Sequence, residues 1–295
     1  MARSPFRPLL TWRPPAKLGR GGPPEPVLPT ITVTGGTITP FSHDGVDYIE
    51  ILWRQGGSFE VSADVDGRLA LAAGGATGAR TNNNSYTPGG GGAGGLIERI
   101  DHALVSGLYT VEIGAGAPRM TSGNGAAANG SASTLIGPDG PLTAIGGGLG
   151  ASFGAGMTVG GDGGSGGGGR GRIGASSADP GDGIADQGHS GGHGYFGAGG
   201  VAPSGGGGGA GGQGGDATAD EAGAPGPGRY LDWVANPRTV CRGGQGWSDA
   251  DQGPSPDEDW GNGSRGAVGA DVGKGGDGFL SLVVRADQVN LEMAA

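Results

Sequence analysis

The run GGDGGSGGGGRG at residues 160–171 holds nine glycines in twelve positions, and GGGGGAGGQGGDA follows at 205–217. Their spacing constrains the fold more than their number does. Over 160–168 the triplets read GGD, GGS and GGG, and over 205–216 they read GGG, GGA, GGQ and GGD. A period of three matches a left-handed extended helix with three residues per turn, rising about 3.1 Å per residue. Every third side chain then lies on one edge and two edges are bare backbone. Bare edges let neighbouring chains approach closely enough for interchain N–H···O=C and Cα–H···O contacts, so a backbone lattice replaces an apolar core. The competing reading is a flexible glycine-rich linker, because ordering a residue's backbone takes on the order of 1–2 kcal/mol and glycine loses the most. Three features favour structure. At least five glycine-rich segments recur, around 74–95, 114–130, 146–174, 188–215 and 261–278; proline-marked turns such as IGPDGPL and ASSADPGDG join them; and strand-like segments flank them.

With 75 glycines in 295 residues, 34% hydrophobic residues and 5% aromatic ones, a large side-chain core is not expected. A net charge of −10 argues against nucleic acid and anionic membrane surfaces as partners. No run approaches the roughly 20 apolar residues of a membrane span, so no membrane insertion is predicted. The charge is uneven: Arg3, Arg7, Arg13, Lys17 and Arg20 stand in the first 20 residues without an acid, leaving 13 basic against 28 acidic groups in the rest. Prolines at 5, 8, 14 and 15 break what would be a signal-peptide apolar run, so any export is expected to bypass the general secretory route. Residues 1–29 read as a basic, proline-rich extended arm that docks onto an acidic partner, with Arg3, Phe6, Arg7, Trp12 and Arg13 as candidate contacts; a disordered tail is the alternative. Cys241 is alone, so the monomer has no intrachain disulfide and no cysteine cluster for zinc.

Residues 30–73 read as a small β region, in which TITVTGGTITPF, VDYIEILWR, SFEVSADV and GRLALAA alternate with turn signals. SHDG and VDGR predict two hairpins and a meander. In DYIEILWR both faces are apolar, as in a strand covered on each side. LIERIDHAL at 96–104 also fits a helical face, but its context favours a strand; GLYTVEIGAG at 107–116 and FLSLVVRADQVNLEM at 279–293 follow a β pattern. The expected fold is mainly β and irregular with little α-helix. A small β region is followed by a glycine-rich body at 74–278 and a closing strand and tail at 279–295.

The order VDYIEILWRQGG, then GGGGAGGLIERIDHALVSGLYTVEIGAGAP, then further GGG runs, then GKGGDGFLSLVVRA resembles the glycine-rich domain of bacteriophage tail fibre and adhesin proteins. The resemblance covers roughly residues 40–286. It implies a sandwich of packed polyglycine II helices, as in distal adhesins of T-even-type phage tail fibres, whose interhelical loops recognise the host surface. It further implies a place in the virion tail, in several copies or as a homo-oligomer. A host receptor, glycan or outer-membrane protein, would be bound through the loops; the basic arm lies outside the match, and other tail proteins are expected as partners through the arm and β region. The segment SFEVSADVDGRLALAAGG departs from the family pattern, which more often enters glycine directly.

The most varied insertion is RYLDWVANPRTVCRGGQGWSDADQGPSPDEDW at 229–260. Tyr230, Trp233, Trp247 and Trp260 make it the candidate binding tip, joined by Tyr86, Tyr195 and Phe196, because aromatic rings stack on sugar faces or fill receptor grooves. The alternative is a satellite core beneath a long loop. Asp249, Asp251, Asp257, Glu258 and Asp259 match no calcium-loop spacing and read as a solvated acidic face. His189 and His193 have the spacing of a helical metal pair in a segment that cannot be helical. No nucleophile elbow, HExxH or phosphate-binding loop occurs, so no catalytic residue, metal or cofactor is predicted. The expectation is a non-enzymatic tail component that binds a receptor; a rigid tail or baseplate spacer is the alternative.

Overall fold

The structure, a computed structural model, describes residues 27–82, 86–121, 127–152, 159–174, 179–197, 202–248 and 259–294. No helix occurs among them. The first strands are Thr30–Thr34 (β1), Thr37–His43 (β2), Val46–Trp53 (β3), Gly57–Val61 (β4), Val65–Ala72 (β5), Arg80–Thr81 (β6), Tyr86–Thr87 (β7), Leu96–Leu104 (β8) and Gly107–Glu112 (β9). Then come Ser133–Gly137 (β10), Gly140–Ala144 (β11), Gly171–Ile173 (β12), Phe196–Gly197 (β13), Arg229–Leu231 (β14), Arg238–Val240 (β15), Ala267–Val268 (β16), Phe279–Arg285 (β17) and Asn290–Met293 (β18).

Two sheets face each other. One has the order β11-β10-β9-β4-β1-β18, the other β2-β3-β17-β5-β8. Ile31, Val33, Phe59, Val61, Tyr109, Val111 and Leu135 from the first meet Ile51, Trp53, Leu69, Leu71, Leu280 and Leu282 from the second in one buried core. At its centre Phe59 stacks on Tyr109 at 4.6 Å and meets Trp53 at 5.3 Å. Alternation along each strand sends the other residues outward. In the five-stranded sheet those residues are also buried: Ala70, Ala72, Phe279 and Val283 pack against Leu231, Trp233, Val234, Val240 and Cys241. Both faces of β3 are therefore covered, as its two-faced apolar sequence predicts.

The N-terminal strands do not form a meander. SHDG does form a hairpin turn between β2 and β3, with Asp44 at φ 51° and Gly45 at φ 76°, the left-handed pair that a two-residue hairpin loop requires. VDGR forms none. It lies inside β5, where Gly67 marks a register shift against β8, because glycine accommodates a bulge as readily as a turn. Consecutive strands then part company: β4 pairs with β1 and β9 in one sheet, and β5 pairs with β17 and β8 in the other. The division expected along the sequence is also not the division in space. β8 to β11 belong to the two facing sheets, and β17 is a central strand inserted between β3 and β5.

The glycine segments are wired with a period of three. Gly89, Gly92 and Gly95 donate their amides to Ala151, Gly148 and Ile145; Gly90 and Ala93 donate to Gly205 and Gly208; Gly91 and Gly94 donate to Ser264 and Gly261, all at 2.8–3.1 Å. The carbonyls of the same run accept from three further segments: from Ala73, Ala76 and Ala79, from Ser165 and Gly168, and from Gly244. Residues 89–95 thus have six hydrogen-bonded neighbours. A second run repeats the rule, with Ser204, Gly207 and Ala210 donating to Trp247, Gly244 and Cys241. This accounts for the glycines: a Cβ built on Gly92 would lie 2.1 Å from the Ser165 carbonyl oxygen, far inside contact distance.

Candidate functional site

The glycine runs have direction. They begin where the facing sheets end, with Ala73 after β5, Gly95 before β8 and Ile145 after β11, and their three-residue steps lead to Ala79, Gly89 and Ala151. At the far end of these runs stand β6 paired with β16, and a small sheet in the order β13-β12-β7. The body therefore has one end fused to the two facing sheets and one end turned away from them.

That far end gathers three of the aromatic candidates. Tyr86 on β7 lies opposite Arg172 on β12, and Arg172 lies opposite Phe196 on β13. Residues directly opposite across strands point to one face, so Phe196, Arg172 and Tyr86 form a rung of ring, guanidinium and ring. Phe196 is 47% exposed. The Arg172 guanidinium lies 5.3 Å from the Tyr86 ring centre. Arg170, two residues back on the same face, is buried and lies 5.8 Å from that ring. Burial and the charge of Arg172 both push the Arg170 pKa down. Tyr195, one residue before β13, is half-buried, and its carbonyl accepts the Arg172 amide at 3.2 Å.

The remaining candidates go elsewhere. Trp247 is 5% exposed, and its backbone is tied at both amide and carbonyl to Ser204. Trp233 is 4% exposed on the second face of the five-stranded sheet, where its indole N–H donates to Glu98 at 2.9 Å. Trp260 packs edge-on against Phe279 at 5.3 Å and has two guanidiniums over its ring, Arg54 at 4.1 Å and Arg238 at 4.0 Å from the ring centre. Cations so placed are attracted by the ring's quadrupole. The buried Glu50 carboxylate accepts from the same Arg238 at 3.1 Å, from Ser281 at 2.7 Å and from the Ala235 amide at 3.0 Å. Only Tyr230, 59% exposed on β14, turns from this insertion toward solvent among its candidate aromatics. Residues 249–258 of the insertion lie outside the described residues, as do Arg3, Phe6, Arg7, Trp12 and Arg13 of the arm.

An open groove of about 850 Å³ runs beside β8, lined by Glu98, Arg99, Asp186, Gln187, His189 and Arg229 among others. Glu98 is already engaged, by Arg229 at 2.9 Å and by Trp233. No three His, Cys, Asp or Glu side chains stand together in a metal-holding group among the described residues. The sequence signal that could have found the far-end rung is the pairing of RGR at 170–172 with the isolated SYT and GYF aromatics; nothing in their spacing brings the three together.

Two facing sheets prolonged by a hydrogen-bonded glycine body define a glycine-rich β protein. The family model described as a glycine-rich domain matches residues 56–288, and the chain belongs to that family. No curated protein matches the sequence.

Proposed function

We propose that the protein is a non-enzymatic component of a bacteriophage tail, an adhesin that presents the far end of a polyglycine II body to a receptor on the host cell. The period-three wiring supports the polyglycine II reading, since three residues per turn aim successive amides at three different neighbours and return to the first on the fourth residue. The observation that carries the adhesin reading is the ring–guanidinium–ring rung at the end of the body turned away from the facing sheets. Those sheets, with the arm that precedes β1, are the attachment end, where other tail proteins are the partners. Several copies around one tail would convert a weak contact into avidity.

The test is antibody raised against the full-length protein and applied to virions of the phage that encodes it. Labelling of the tail together with blocked adsorption is the expected result. Labelling without loss of adsorption favours a tail or baseplate spacer over an adhesin, and absence of label from the particle overturns the reading altogether.

A further inference from the structure

We infer that the rung of Phe196, Arg172 and Tyr86 is a binding site for a sugar unit bearing an anionic substituent, a carboxylate or a phosphate; this rests on the adhesin reading for its biological setting. Three observations build the site. The register puts the three side chains in one row on one face of the β13-β12-β7 sheet, a width of about 10 Å at the usual strand spacing. The row is apolar at each end and cationic in the middle. Aromatic rings offer flat apolar area to the C–H faces of a sugar, while a guanidinium offers paired N–H donors that match a carboxylate or phosphate edge.

Second, Arg172 makes no ion pair among the described residues, as is also true of Arg68, Arg99 and Arg242. Its buried Nε has no hydrogen-bond acceptor. Third, a second guanidinium, that of the buried Arg170, lies 5.8 Å from the centre of the same Tyr86 ring.

The experiment titrates the full-length protein with tetragalacturonate, mannose 6-phosphate and neutral maltotetraose, followed by calorimetry. Binding of one anionic probe without binding of maltotetraose is expected, and which of the two binds tells carboxylate from phosphate. Arg172→Ala is expected to weaken binding by at least about tenfold, Arg172→Lys by less, and added salt is expected to weaken the wild type. Phe196→Ser, at an exposed position, gives a second reduction should the arginine variants fold poorly. Equal affinity for maltotetraose, no binding of either anionic probe, or a folded Arg172→Ala protein that binds as wild type overturns the proposal. The two readings separate on host cells: cells bound equally by wild type and Arg172→Ala sink the site and spare the adhesin, while glycan binding without cell binding does the reverse.

Discussion

At the scale of single residues, close backbone approach sets what each position tolerates. Gly92 has the Ser165 carbonyl oxygen 2.1 Å from where a Cβ would sit, and the neighbour is backbone on another hydrogen-bonded run. Overpacking ordinarily destabilises by about 1–3 kcal/mol. Gly92→Ala is therefore expected to lose about 3 kcal/mol in urea unfolding, the top of that range. In Gly212→Ala the new methyl meets only the Pro227 ring, at 3.0 Å, and a loss below about 1 kcal/mol is expected. Comparable losses from the two substitutions would refute the lattice account. Cys241 gives a chemical test. It is fully buried, and burial raises its thiol pKa to about 12, so the nucleophilic thiolate is scarce at pH 8. A thiol reagent is expected to leave the native protein unmodified and to titrate one thiol in denaturant; rapid native reaction would contradict that burial.

At the scale of elements, the insertion carrying β14 and β15 is held on the five-stranded sheet by a buried charge pair. Arg238 meets the buried Glu50 at 3.1 Å and lies over the Trp260 ring. Removing one partner strands the other charge, which typically destabilises by about 3–5 kcal/mol. Arg238→Met is expected to show a loss of that order, and Glu50→Leu combined with it to recover part of the loss. A double mutant whose loss equals the sum of the two single losses would show that the pair contributes nothing as a pair. Much at this scale was legible in the sequence. The two-faced pattern of DYIEILWR announced a doubly covered strand, SHDG announced its hairpin, and the triplet phase of the glycines matches the three-residue step of the hydrogen bonds. VDGR misled because a glycine in a strand bulge and a glycine in a turn look alike. The aromatics of 229–260 stood out as a group, yet composition does not tell a ring that packs from one that binds, and Trp233 and Trp247 are buried.

At the scale of the whole molecule, long-range pairing was what the sequence withheld. β17, from residue 279 onward, sits between β3 and β5, and β4 pairs with β9 across the first glycine run. Local pattern carries no record of such partners. The rung of Tyr86, Arg172 and Phe196 was hidden for the same reason, since each residue sits in a strand of two or three residues from a different part of the chain. Dependence on distant contacts makes assembly slow and makes the C-terminal part indispensable. A chain ending at residue 278 removes the central strand of one sheet and leaves β3 and β5 without their shared partner. It is expected to lose the cooperative thermal transition of the full chain in circular dichroism, and retention of that transition would overturn this view.

The pairing of β1 with β18 bears on mechanics. The two strands run parallel, with Thr30 opposite Asn290 and Val33 opposite Met293. Tension drawn between residue 27 and residue 294 pulls these neighbours past each other along their length. All the rungs of that pair are then loaded at once in shear, instead of opening one after another like a zip. A protein pulled by its two ends would meet its strongest resistance at the edge of the sheet, before any load reached the glycine body or the surface it presents.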